Sequence, residues 1–342
     1  MIIKGQATVV KHTGSHYLLS CLPQWELFPA VLRGKIRLKG SNATNPVAVG
    51  DLVDFEAELP EGAPDQVNLS EVVTLENPAA ITAVQPRRNY IIRKSTNLSR
   101  QSHIIAANLD QAFLVVTLDF PQVKLPFLDR LLVTCEVYNV PAVIVLNKCD
   151  LYGPEYDDMR AAFHDIYEGA GYRIVEVSAH TGQGVDELRE MMSGAVSLFS
   201  GVSGVGKSSL IKALDPSLEP RVGDISDAHE QGRHTTTFYE MYRCSACIPE
   251  CASCHPERSE ESSGFIVDTP GLRGFGLVDL KKEEIALYFP EMLKASENCR
   301  FTPCTHTHEP GCAVKEAVEN GEISYERYSS YLGMLDEEGK YR

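Results

Sequence analysis

Residues Gly201-Val202-Ser203-Gly204-Val205-Gly206-Lys207-Ser208 spell a complete glycine-rich phosphate loop, and the tetrapeptide Asn147-Lys148-Cys149-Asp150 stands upstream of it. That order constrains the fold more than any other feature. A phosphate-loop domain ordinarily opens on its glycine-rich loop and reaches its guanine-reading Asn-Lys-x-Asp near the end. Here the order is Asn147–Asp150, Ser178-Ala179-His180, Gly201–Ser208, Thr235-Thr236-Thr237, then Asp268-Thr269-Pro270-Gly271. The parts of a guanine-nucleotide site are all present, but the chain is circularly permuted. The Asp-x-x-Gly switch thereby becomes the last piece of the nucleotide domain, joined directly to whatever follows.

Each motif has a chemical reading. Gly201-x-x-x-x-Gly206-Lys207-Ser208 follows an apolar run and opens a helical one, the context in which glycines let backbone N–H groups approach phosphates at a helix N-terminus. Gly201 through Ser209 are therefore the expected nucleotide-binding stretch, with Lys207 reaching the β/γ oxygens and Ser208 binding Mg²⁺. A carboxylate at Asp150 can accept from guanine N1–H and its exocyclic amine. Adenine offers neither donor there, which leaves a charged group unpaired at a cost of about 1–3 kcal/mol or more. Asn147 is expected to brace the loop, the Lys148 stem to cover the base, and Ser178, Ala179 and His180 to complete the pocket. Asp268 is expected to hold Mg²⁺ through water, Gly271 to sense the γ-phosphate, and Thr236 to join the Mg²⁺ shell, with Thr235 and Thr237 as alternatives. Leu272 stands where a water-orienting amide is found in other enzymes of this chemistry and cannot do that work. His234 is the candidate substitute, either orienting water or only packing, so slow intrinsic hydrolysis that a partner accelerates is expected.

Strand and helix patterns alternate from Asp110 to Leu214: apolar Ala112–Leu118, helical Phe127–Tyr138, strand Val143–Leu146, helix Met159–Tyr167, strand Arg173–Val177, helix Val185–Met192, strand Ala195–Phe199 and helix Lys207–Leu214. The rhythm implies a parallel sheet with ligand motifs at strand carboxyl ends. Before it, Ile2–Val10, His16–Cys21, Val31–Leu38 and Asp51–Ala57 read as short strands split by turn signals, a spacing that suggests a small barrel of the OB type. The net charge of −15 hides an asymmetry: residues 1–103 hold 11 Lys+Arg against 9 Asp+Glu, a balance of +2. Arg87, Arg88, Arg93, Lys94 and Arg100 fall in one acid-free stretch, either a phosphate-backbone contact or a solvated linker. Trp25 could stack a base or simply pack. No apolar run approaches the ~20 residues that span a bilayer, and the N-terminus has no secretory pattern, so a cytoplasmic protein with reduced thiols and no membrane partner is expected.

Cys299-x4-Cys304-x-His306-x5-Cys312 offers three thiolates and an imidazole, a closed set suited to one structural Zn²⁺, with His308 as a possible substitute. Cys244, Cys247, Cys251 and Cys254 lie between two expected strands, Phe238–Tyr242 and Phe265–Val267. They fit a second metal site, an iron–sulfur cluster, or a thiol-bearing hairpin insertion. Cys21, Cys135 and Cys149 read as buried small apolar side chains.

Taken together, Ala107-Asn108-Leu109-Asp110-Gln111, the permuted order, Gly232-Arg233-His234-Thr235-Thr236-Thr237 and the cysteine–histidine set with Glu309-Pro310-Gly311-Cys312 resemble the ribosome small subunit-dependent GTPase A family of circularly permuted GTPases. The resemblance implies a multidomain chain: an N-terminal β-barrel (OB-fold) for RNA over 1–80, a basic linker over 81–103, a central α/β circularly permuted P-loop GTPase domain over 104–278 with a cysteine-containing insertion at 243–263, and a C-terminal mostly helical zinc-binding domain over 279–342. It also implies a monomer that hydrolyses GTP to GDP, contacts 16S rRNA and the small (30S) ribosomal subunit during late maturation, and is stimulated by that subunit. In the family the histidine matching His234 assists hydrolysis. The cysteine insertion departs from the family pattern. Two other readings stay open: an RNA-binding adaptor with a vestigial nucleotide site, or a GTPase of RNA modification or translation.

Overall fold

A closed barrel forms at the N-terminus because strands with alternating burial can turn one face inward and leave no edge unpaired. The computed structural model describes residues 2–12, 14, 16–33, 46–59, 68–94, 102–218, 239–245, 263–268 and 280–337. The chain makes two compact units, one of Met1–Gln111, Asp186–Phe199 and Ile211–Gly271, the other of Ala112–Val185, Ser200–Leu210 and Leu272–Arg342. Among the described residues no helix is long and apolar enough to cross a membrane.

In the first unit the barrel strands are β1 (Ile2–His12), β2 (His16–Ser20), β3 (Leu27–Leu32), β4 (Leu52–Glu58) and β5 (Ala79–Val84), with the short helix α1 (Leu69–Val72) between the last two. They pair in the order β1-β2-β3-β5-β4, and β4 returns to β1. β1 serves both neighbours: Ile2–Thr8 pair with β4, and Thr8–His12 pair with β2 across a bulge between Val9 and Lys11. Such a bulge bends one strand around a barrel corner. Leu19, Phe28, Phe55 and Ile81 fill the interior, with the rings of Phe28 and Phe55 5.1 Å apart.

The expected Val31–Leu38 strand begins earlier, at Leu27, and residues 34–40 lie outside the described residues. Pro29 obscured this strand, since proline cannot donate to a ladder. It is tolerated because the pairing of β3 with β5 starts only at Ala30. The barrel also runs past residue 80 to Val84, and the supposed linker contains β6 (Tyr90–Lys94), which pairs with β7 (Ser102–Ala107) as a two-stranded sheet. The far end of β1 meets β12 (Glu240–Cys244), where Lys11 is 2.8 Å from Glu240. β12 forms an antiparallel pair with β13 (Gly264–Asp268), which runs parallel to β11 (Val196–Ser200). Trp25 packs its ring 5.6 Å from that of Phe265, so its role is packing.

In the second unit β8 (Gln111–Val116), β9 (Ala142–Leu146) and β10 (Arg173–Glu176) are parallel neighbours. Their near-continuous apolar runs suit strands covered on both faces. α2 (Leu125–Val137) and α3 (Asp157–Gly169) supply the crossovers, and the first half of α5 (Lys207–Leu214) follows the glycine-rich loop; α4 (Val185–Met192), which follows β10, belongs almost wholly to the first unit. The C-terminal helices α6 (Pro290–Ser296), α7 (Ala313–Glu319) and α8 (Tyr325–Glu337) share one core of Phe289, Met292, Val314 and Tyr331 with Val133 of α2. Arg327 of α8 is fully buried. It bonds Asp129 of α2 at 2.8 Å and Glu291 of α6 at 2.7 Å, with its guanidinium 4.6 Å from the Phe289 ring centroid.

Candidate nucleotide site

The guanine motif begins where β9 ends, and its first residue holds three segments together. The Asn147 main-chain N–H donates to the Val116 carbonyl at 2.9 Å. Its side-chain Nδ2 donates to the Val205 carbonyl at 2.8 Å, and its Oδ1 accepts from the Ala179 N–H at 3.3 Å. Asn147 is 1% exposed, and a buried amide with both ends paired fixes geometry rather than adding affinity of its own. Lys148 takes the left-handed conformation at φ 67°. From there its Nζ donates to the Gly204 carbonyl at 2.7 Å and to the Phe120 carbonyl. Thus the guanine motif and the phosphate loop, about fifty residues apart in sequence, meet directly.

Asp150 is exposed, and its Oδ1 accepts from the Ser178 hydroxyl at 2.5 Å. The Ser178 hydroxyl oxygen in turn accepts from the N–H groups of His180 and Thr181, at 3.2 and 3.0 Å. This leaves a carboxylate facing outward from a braced turn, with acceptor capacity for a donor pair. Cys149, inside the motif, is buried and its thiol is pushed up to about 11 by burial and the nearby Glu176 carboxylate, so it stays a neutral packing group.

The phosphate loop is shaped by close approach. A Cβ on Gly206, at φ +93°, would lie 2.5 Å from Asn147 Nδ2, and one on Gly201 would lie 2.3 Å from the Val115 carbonyl oxygen. Only glycine fits these two positions. Val205 is fully buried, Ser203 and Gly204 are exposed, and Val202, Lys207 and Ser208 are half-buried. Lys207 Nζ donates to the carbonyls of Gly201 at 2.6 Å and Val202 at 3.0 Å. That places its charge over the loop, where a polyphosphate would be met. Ser208 and Ser209 lie in the first turn of α5. Asp268 ends β13, is 6% exposed, and stands in register opposite Phe199, two residues before Gly201 in the chain. His234, Thr235, Thr236, Thr237, Gly271 and Leu272 lie outside the described residues, as do Cys247, Cys251 and Cys254. Cys244 is described and is fully buried at the end of β12.

Two supporting residues escaped the sequence reading. Tyr152 donates from its hydroxyl to the Asn147 carbonyl at 3.0 Å and accepts the Leu118 N–H at 2.9 Å. Burial pushes that hydroxyl up to about 12, so it remains a donor. Phe120, at φ 60°, offers the carbonyl that Lys148 grips. The one available signal was the Phe120-Pro121 step shortly after the apolar strand; nothing local marked Tyr152.

The four predicted metal ligands also converge. Sγ of Cys299, Cys304 and Cys312 and the His306 ring lie within 4.8 Å of one another. His306 Nδ1 is 3.6 Å from Cys299 Sγ and 3.4 Å from Cys312 Sγ, and the two sulfurs are 3.9 Å apart. Ligands at ordinary Zn–S and Zn–N lengths around a tetrahedral ion would sit about 3.5–3.8 Å apart, so the donor set and spacing fit. Burial holds the His306 imidazole below its ordinary range, hence neutral and able to donate a lone pair. Tyr328 and Tyr331 donate to the carbonyls of His306 and Thr305 at 2.6 and 2.7 Å, and Glu309 accepts from Thr305 and Thr307. These bonds fix the ligand loop from outside.

Comparison with known proteins agrees with this geometry. A sequence model of the RsgA GTPase family matches residues 84–278. The chain is 46% identical to the small ribosomal subunit biogenesis GTPase RsgA of Bacteroides fragilis, covering 98% of each chain. It is 44% identical to the protein of the same name from Porphyromonas gingivalis, covering 98% of this chain and 97% of that one. Among solved structures it is similar to YjeQ from Thermotoga maritima, with TM-score 0.73, 31% identity and 98% of both chains covered. YloQ, described as a circularly permuted GTPase, shares the fold at TM-score 0.69 and 24% identity over 99% of this chain and 96% of that one. With a closed five-strand barrel, a permuted nucleotide core and a helical segment carrying a Cys₃His cluster, this chain belongs to the RsgA GTPase family and is a GTP hydrolase.

Proposed function

We propose that this GTPase binds the small (30S) ribosomal subunit and acts as a late maturation checkpoint, with its turnover raised by that subunit. The observation that carries the reading is the near-full-length likeness to GTPases named for small ribosomal subunit biogenesis, in a chain whose guanine motif touches its phosphate loop. Asp150 reads the base while Asn147 and Ser178 hold it in place, and Lys148 covers the ring. Lys207 moves from the loop carbonyls to the β/γ oxygens. Ser208, Thr236 and Asp268 would hold Mg²⁺. Bound Mg²⁺ supplies charge neutralisation at the phosphates. Gly271 senses the γ-phosphate, and His234 orients the attacking water in place of Leu272. Cys299, Cys304, His306 and Cys312 would hold one Zn²⁺ in a structural role.

The barrel supplies contact with 16S rRNA, in a cytoplasmic, monomeric protein. The basic stretch contributes less than its charge suggests. Arg87 is bonded to the buried Asp51 through both nitrogens at 2.6 Å, and Arg88 to Asp110 at 2.7 Å. RNA affinity therefore falls to other cations of the barrel unit, and it weakens with salt.

The test is turnover of GTP and ATP, with and without purified 30S subunits, for the native chain and His234→Ala. The expected result is hydrolysis of GTP but not ATP, faster with 30S. His234→Ala should keep nucleotide affinity and lose most of the stimulated rate. A native chain whose GTP turnover ignores 30S subunits removes the partner assignment, and an unimpaired His234→Ala removes the role of that histidine.

A further inference from the structure

The segment Ala107-Asn108-Leu109-Asp110-Gln111 touches no nucleotide motif in its own sequence neighbourhood, yet it is hydrogen-bonded on both sides. On the barrel side, β1 is tied to the turn before β4. Gly50 N–H donates to the Val9 carbonyl at 2.8 Å and Val9 N–H to the Asp51 carbonyl at 2.9 Å. That turn is fixed by Asp51, fully buried, which accepts from Arg87 and from Ala48 N–H at 2.8 Å. The turn then grips the segment: Ala107 N–H donates to the Val49 carbonyl at 2.9 Å and Asn108 Nδ2 to the Gly50 carbonyl at 2.9 Å. A Cβ on Gly50, at φ +87°, would stand 2.1 Å from the Ala107 oxygen, so the approach is close enough to demand glycine.

On the other side the segment holds β11. Asp110 N–H donates to the Val196 carbonyl at 2.9 Å, and Val196 N–H donates back to Asp110 Oδ2 at 2.8 Å. Gln111 Nε2 donates to the Ser197 hydroxyl at 3.0 Å and the Met191 carbonyl at 2.8 Å. Between the two sides, the buried Asn89 amide clips both main-chain groups of Leu109 at 2.8 Å, and Arg88 N–H donates to Asn108 Oδ1 at 2.9 Å. β11 runs directly into Gly201 of the phosphate loop. The path from β1 to β11 thus consists of short links through main-chain and short amide groups, with little conformational freedom to absorb a displacement.

We propose that residues 107–111 are a stiff coupling through which the barrel and the strand feeding the phosphate loop sense each other, with Asn108 and Asp110 as positioning residues. Nucleotide on the loop then changes the order of the barrel turn at 48–51, and a partner seated on the barrel acts back on the loop by the same links, as linkage requires. The probe rests on the nucleotide reading above, whereas the coupling itself is a separate claim.

Hydrogen exchange of the full chain, with and without GDP, decides it. Asn108→Gly is the chosen variant because glycine accepts the left-handed backbone of Asn108, φ 56°, while deleting both side-chain links. In the native chain GDP should slow exchange at the phosphate loop and also at 48–51 and 107–110. In Asn108→Gly the loop should respond as before, the turn at 48–51 should no longer respond, and Val196 should exchange about tenfold faster without nucleotide. A barrel turn that responds equally in the variant, or stays silent in the native chain while the loop responds, overturns the coupling. If GDP fails to protect even the native loop, the nucleotide reading fails. The coupling is then judged by Val196 alone, and unchanged exchange there in the variant overturns it. Should Asn108→Gly not fold, Asp110→Asn takes its place with the same outcomes, since one amide oxygen cannot serve both Val196 N–H and Arg88.

Discussion

The cysteine–histidine cluster and the phosphate loop are both suited to a small charged partner, but by opposite means. The cluster uses four side chains from 14 consecutive positions, all pointing at one spot within 4.8 Å. The loop uses main-chain groups and missing side chains, Gly201 and Gly206, and is braced from a distance by Asn147 and Lys148. A cluster of ionisable ligands without its ion is a liability: the Cys304 thiol, pushed up to about 12 chiefly by burial, must be deprotonated to bind metal. A loop of amides is complete with or without its ligand. On the zinc reading proposed above, metal would be a folding component of the C-terminal segment, whereas nucleotide would be a visitor to a loop whose glycines and braces are already in place.

Removing metal should show this contrast at its largest. Chelation under denaturing conditions, followed by refolding without zinc, should abolish the helical protection of 290–337, since a structural zinc contributes on the order of 10–16 kcal/mol of apparent binding energy. Affinity for GDP, measured by titration, should change far less. Equal loss of both would mean that the two sites form one folding unit.

Arg327 is where the contrast could break, because it joins α8 and α6 to α2. Arg327→Met leaves Asp129 and Glu291 buried without their cation and should cost about 3–5 kcal/mol in denaturant titrations at pH 7. The sign of the pH dependence follows from Asp129. Burial holds its carboxyl above the usual range even with Arg327 opposing. The folded chain therefore binds that proton more tightly than the unfolded one. Its stability contribution improves as pH falls through the folded-state value and levels off below the unfolded value near ~3.9. The deficit of Arg327→Met should shrink on acidification, and a deficit that grows would contradict this account.

Asp150→Asn sharpens the nucleotide half of the comparison with the smallest effect. Replacing the charged acceptor should weaken GDP binding by about 10–100-fold while leaving the melting temperature of the exposed site nearly unchanged. Binding of xanthosine diphosphate should strengthen, because its 2-oxo group can accept from the new amide. Undiminished GDP affinity would show that Asp150 does not read the base.

These two sites also mark what sequence could and could not show. The cluster was readable because its ligands are local and their chemistry narrow. The phosphate loop was readable because glycine, lysine and serine at fixed spacing have few other uses. Tyr152 and Phe120 were not, since one acts through a phenol far from its own motif and the other through a carbonyl that every residue carries. Pro29 concealed β3, and the charge of Arg87 left a phosphate contact and a solvated linker both open, whereas the fold bonds it to the buried Asp51.

By itself, then, the sequence determined the order of the nucleotide motifs, the membership of the cysteine–histidine cluster and the alternation of strands and helices, because each depends on residue type at short separation. Only the tertiary structure decided that Asn147 would lock onto Val205, that Arg327 would vanish between α2 and α6, and that residues 107–111 would tie the barrel to β11. Those contacts join positions tens to hundreds of residues apart, and their energies come from burial and pairing that exist only once the chain has closed on itself.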